Sequence, residues 1–135
     1  MNPVHPDDIV LSETEVGRDL LLLITGGVRH IGAASTAYMD GDLARVMTSA
    51  VPHHKEHTIS EAIALKAAAA LNRTVTVVMG IHYDDLSTEG ILAVVNIVND
   101  KVEQYLVQKA ETNLKRSPSP CVIDTIEPLT YILEE

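Results

Sequence analysis

Residues 9–16 alternate weakly between apolar and polar side chains, the period-two pattern of a strand. Residues 19–25 are almost continuous Leu and Ile, the pattern of a strand buried on both faces. Gly26-Gly27 marks a turn after it, because glycine reaches positive φ without steric cost. The next segment, 30–38, is dominated by Gly32, Ala33, Ala34, Ser35 and Ala37, so another backbone or a ligand can come close to it. Asp40-Gly41 is a hairpin signal; 43–51 fits a strand or a short helix, and reads as a fourth strand because Pro52 limits its end. On this reading the four strands form a meander.

The rhythm then turns helical. Thr58-Ile59-Ser60-Glu61 has the form of a capping box, in which the first hydroxyl takes a free amide and the glutamate reaches back to another. Residues 62–71 are alanine-rich, with high helix propensity and a shallow apolar face suited to lying flat on a sheet. Asn72 closes the helix. Residues 74–81 alternate Thr with Val, then Val with Met and Ile, as a strand does, and Gly80 weakens its end or opens space there. Ser87 caps a last long helix with a stripe of Ile91, Val95, Val98, Val102 and Tyr105. Lys115 and Arg116 suit its negative end, and Ser117-Pro118-Ser119-Pro120 breaks it. The order of four strands, helix, strand, helix predicts an α+β domain over 1–116, with a largely antiparallel sheet and two helices on one face. Residues 117–135 form a C-terminal extension, with a candidate strand at 121–126.

Composition narrows the partners. Apolar residues make up 46% of the 135, but there is no Phe and no Trp, so the core is Leu, Ile, Val, Ala and Met. The net charge of −9 (10 basic against 19 acidic residues) argues against nucleic acid and anionic membrane surfaces as partners. Cys121 stands alone, which fits a reducing compartment. Residues 1–8 are polar and carry two prolines, unlike a signal peptide. The aliphatic run 20–24 is far short of the roughly 20 residues a membrane helix needs. The expected setting is cytoplasmic.

Candidate chemistry lies where regular structure stops. His30 follows the glycine pair; His53, His54 and His57 crowd one stretch; His82 ends the fifth strand. Imidazoles at positions 53 and 57 share a face if the helix begins early, but a competent zinc site needs three or four converging ligands. The same corner suits an anion: a helix N-terminus offers unpaired amides, and Lys55 and protonated His54 add charge. Arg29 adds a bidentate guanidinium if the first turn lies nearby. His30 reads equally as a core histidine, and His82 with Asp84 as an oriented imidazole or a loop-capping pair. No nucleophile stands out: no elbow motif surrounds Ser35, and Cys121 has no nearby charge.

Three stretches taken in order carry a family resemblance: Ile24-Thr25-Gly26-Gly27 running into His30-Ile31-Gly32-Ala33; His54-Lys55-Glu56; and Gly80-Ile81-His82-Tyr83-Asp84 before a helix rich in Val, Ile and Asn. Together, over roughly residues 8–108, the chain resembles the small LpdD-like proteins, accessory partners of hydroxyarylic acid decarboxylases of the UbiD type. The resemblance implies a fold like the proteasome assembly chaperones, a homodimer, and a role binding reduced prenylated FMN and delivering it to an apo decarboxylase. By position, His30, His54, Lys55, Glu56, His82 and Asp84 match the family's polar motifs and become candidate ligand-site residues; Arg29 joins them on charge alone. The doubled His53-His54 departs from the small residue expected there.

On this reading the protein is an accessory cofactor-binding protein rather than an enzyme. Two alternatives stay open. One is a metal-dependent hydrolase or lyase using His30, His54, Glu56 and His82, with a divalent metal. The other is an assembly chaperone that binds only proteins.

Overall fold

The computed structural model of the chain describes residues 4–52 and 56–115. His53, His54, Lys55, Arg116 and the extension with its candidate strand lie outside the described residues. After a 3-10 turn at Pro6–Asp8 come strands β1 (Ile9–Val16), β2 (Asp19–Gly27), β3 (Ala33–Asp40) and β4 (Leu43–Ala50). Helix α1 (His57–Leu71), strand β5 (Val75–His82) and helix α2 (Thr88–Lys115) follow. The fold is α+β, and three of the four strand pairings are antiparallel.

The meander does not form. The sheet order is β1-β2-β5-β3-β4, with β5 parallel to β2 and antiparallel to β3. Strand β5 therefore separates β2 from β3, and the 28–32 connection has to cross it. Gly26 and Gly27 do not make a hairpin turn. They continue β2, pairing with Ile81 and His82.

One sheet face is the core. Leu20, Leu22 and Ile24 of β2 lie in register with Val75, Val77 and Met79 of β5, and all six are buried. Against them pack Ile63, Ala64, Ala67, Ala68 and Leu71 of α1. The small residues of β3 serve this packing: Ala33, Ser35 and Ala37 are buried, with α1 resting on that strand and on β4. The close neighbour that the small side chains admit on this face is a helix, not a ligand.

The capping box does not form either. Helix α1 begins at His57 with Glu56 in the N-cap position, and no side chain caps it. Ser60 is fully buried and shares a 2.8 Å hydrogen bond with Ser35, which shares another of 2.8 Å with Thr48. Thr48 donates to Glu61 at 2.7 Å. Because the Thr48 proton goes to Glu61, Ser35 donates to Thr48 and Ser60 to Ser35, with the His57 carbonyl also 3.2 Å from the Ser60 hydroxyl. Ser60 and Glu61 of that motif instead tie the helix to β3 and β4.

Helix α2 sits rotated from its expected phase. Val94, Val98, Val102 and Leu106 are buried, whereas Ile91 is half exposed. A charged contact fixes this rotation. Lys109, only 9% exposed, donates to Glu13 and Glu15 on the helix-facing side of β1, and Tyr105 donates to Glu13 at 2.9 Å. Arg73 donates to Glu15 at 2.6 Å and to the carbonyls of Arg18 and Asp19.

The opposite sheet face is open. Leu23 is 39% exposed and Met47 62% exposed, so β2 is not buried on both faces.

Hydrogen bonds from Arg73 and then Lys109 pull Glu15 down to about 2 from 4.5. A carboxylate depressed on folding stabilises fully above its unfolded pKa and stops doing so as pH falls through its folded one. Stability should therefore drop between about pH 4.5 and about 2. The half-exposed carboxylate is screened by water, so its share is on the order of 1 kcal/mol. Urea unfolding across this range should show a shallower acid slope for Glu15→Gln; an unchanged slope would refute the assignment.

Candidate functional site

The crossing of β5 builds the site. Val28 N–H donates to the His82 carbonyl at 2.9 Å and Gly32 N–H to the Met79 carbonyl at 2.9 Å, so the connection straddles Gly80. A Cβ on Gly80 would lie 1.6 Å from the His30 carbonyl oxygen, so only glycine lets the two backbones meet there. The motif glycine near the end of β5 is thus a crossing point.

Pairing between β5 and β3 ends at Met79 opposite Ala33, so β3 does not cover the next outward amide on that side of β5. The Glu56 carboxylate takes it: Oε2 accepts from Ile81 N–H at 3.1 Å. The same oxygen faces His30 Nε2 at 3.1 Å, with both side chains mostly buried. His30 Nδ1 lies 3.2 Å from the Val28 carbonyl. The ring is thus held between a backbone carbonyl on one side and the carboxylate on the other. Gly32 leaves room for the carboxylate, since a Cβ there would come within 2.6 Å of it.

His82 completes the corner. Its ring stands edge-on to His30, with centroids 6.2 Å apart. Its Nε2 lies 3.0 Å from Asp84 Oδ1, an exposed pair in which a carboxylate orients the imidazole. Beside these groups a cavity of about 370 Å³ opens between the start of α1, the end of β5 and the first half of α2. Its walls include Ile59, Met79, Ile81, Leu86, Val94 and Val95; Glu56, His82 and Tyr83 bring polar atoms to it. The Tyr83 hydroxyl oxygen is buried without a well-formed hydrogen bond among the described residues, although the Gly27 amide approaches it. Burial, and then the Asp8 carboxylate, push this phenol above its ordinary range.

A profile of the prenylated flavin chaperone LpdD-like domain matches residues 5–110. The chain belongs to this family. No curated protein matches it. Of the residues singled out on sequence, the LpdD-like chain brings His30, Glu56, His82 and Asp84 to one corner. Arg29 is exposed on the crossing connection, and His54 and Lys55 lie outside the described residues. Among the described residues, no group of three or more His, Cys, Asp or Glu is arranged to hold a metal ion. No helix among them is long and apolar enough to cross a membrane.

Sequence reasoning missed the cavity wall. A signal was present: between residues 91 and 98 only Asn96 is polar, more apolar surface than a single buried stripe uses.

The two motif glycines should differ in tolerance. Gly80→Ala forces a methyl into backbone and should cost about 2 kcal/mol or more, whereas Gly32→Ala displaces only a side chain and should cost less. Denaturant unfolding measures both, and a neutral Gly80→Ala would contradict the crossing geometry.

Proposed function

We propose that this LpdD-like protein binds reduced prenylated FMN as cargo at the His30–Glu56–His82 corner and passes it to an apo decarboxylase of the UbiD type. The observation that supports this reading most is the meeting of separate family motifs beside an apolar cavity. A flavin needs hydrogen-bonding groups along one edge and an apolar wall, and this corner offers both. His54 and Lys55, directly before Glu56 in the chain, and the exposed Arg29 are the proposed phosphate contacts, on charge and family motif. Carrying cargo needs no nucleophile, and Ser35 is committed to its buried hydroxyl chain. The proposed setting is the cytoplasm.

Anaerobic titration tests the reading. Wild-type protein should bind reduced prenylated FMN saturably, and His54→Ala and His30→Ala should each raise Kd about tenfold, the scale of a lost charge-assisted hydrogen bond. No binding by wild type, or no loss in either variant, would sink it.

We also propose a homodimer formed through the open sheet face. Leu23 and Val78 pair in register near its centre, and Val10 and Met47 add exposed apolar surface. Thr25, Thr36 and Thr76 share that face, and its exposed apolar side chains favour burial against a partner. Light scattering should give twice the chain mass for wild type and the single mass for Leu23→Asp; a wild-type monomer at micromolar concentration excludes the dimer.

A further inference from the structure

We propose that the cavity behind Glu56 and His82 receives the isoprenoid-derived carbons of the cargo, and so makes the protein selective for prenylated over unmodified flavin. This rests on the flavin-binding reading above and adds the means of discrimination. The cavity has two chemically distinct parts. Ile59, Met79, Ile81, Leu86, Val94 and Val95 give it hydrocarbon walls, whereas its polar atoms come mainly from Glu56, His82 and Tyr83.

A flavin ring carries hydrogen-bonding atoms along its edges, and a pocket shaped for the ring alone would place polar groups around it. The walls are instead aliphatic and suit branched hydrocarbon. Phe and Trp are absent from the chain, and Tyr83 with the His82 ring are the aromatic groups in a lining that is otherwise mostly hydrocarbon. Ile91, at the cavity and 52% exposed, extends the apolar surface outward.

Burial of an isoprenoid group in such a cavity favours the prenylated ligand by the transfer free energy of its carbons. That corresponds to a preference of about tenfold or more. The selectivity belongs to the walls, so filling the cavity should remove it without removing what the two flavins share.

The test is anaerobic equilibrium titration of the full chain with reduced prenylated FMN and with reduced FMN. Wild type should prefer the prenylated flavin about tenfold or more. Val95→Phe fills the cavity and should weaken the prenylated flavin about tenfold while changing reduced FMN less than about threefold. Ile91→Phe, at a half-exposed position that tolerates added size, should act in the same direction and serves if Val95→Phe does not fold. Equal affinity of wild type for the two flavins, or equal loss of both in the folded variants, overturns the cavity assignment and leaves the flavin-binding reading standing. Failure of wild type to bind either flavin overturns both.

Discussion

The corner where the family motifs meet depends on the seat of the Glu56 carboxylate. Where β3 stops covering β5, the Ile81 amide faces away from any strand partner, and an unpaired amide there would cost about 1–3 kcal/mol. Glu56 accepts that amide and simultaneously faces His30. Because Glu56 is also the residue from which α1 departs, satisfying one sheet amide fixes where the helix starts relative to the strand end. Gly32 and Gly80 give the space that makes this possible. A single carboxylate thus couples the crossing connection, the start of α1 and the end of β5.

Much of this was legible locally, and the failures are physical. Strand alternation and alanine-rich helix propensity depend on nearby residues, and the seven strands and α-helices among the described residues were anticipated in order. The place of β5 between β2 and β3 is not a local property: a strand written late in sequence is inserted beneath a connection written early. Thr58-Ile59-Ser60-Glu61 has every residue of a capping box, yet tertiary partners outcompete the local ones. Ser35 and Thr48 offer Ser60 and Glu61 hydrogen bonds that also anchor the helix to the sheet. Motif order singled out His30, Glu56, His82 and Asp84, which the fold brings to one corner, but it gave no sign that Glu56 accepts a sheet amide as well as facing the cavity.

The phase of α2 shows how a polar group can decide a hydrophobic question. Residues 91–98 are apolar almost all round, so their pattern alone allows several rotations. Lys109 does not. Two glutamates lie on the helix-facing side of β1, and a cation has to be brought to them. Burying Lys109 there turns Val94, Val98, Val102 and Leu106 inward. The same rotation leaves Ile91 and Val95 beside the cavity. The ion cluster at one end of the sheet therefore shapes the apolar wall at the other.

Charge also orders the proposed cargo within its site. The chain carries a net −9, and the proposed ligand carries a phosphate. Glu13 and Glu15 lie at the far end of the sheet, level with the start of β5, and are answered there by Arg73 and Lys109. Strand β5, from Val75 to His82, spans roughly 20–25 Å, well beyond the screening length of about 8 Å at physiological salt. Those charges hardly reach the corner. Glu56 and Asp84 do, and carboxylates repel a phosphate but accept from ring N–H groups. The proposed ligand therefore fits with its ring toward Glu56 and its isoprenoid carbons in the cavity. In that orientation its phosphate would point away from both carboxylates, toward the exposed Arg29 on the crossing connection. In the proposed orientation the phosphate would be the part nearest to solvent, where a receiving enzyme would meet it first.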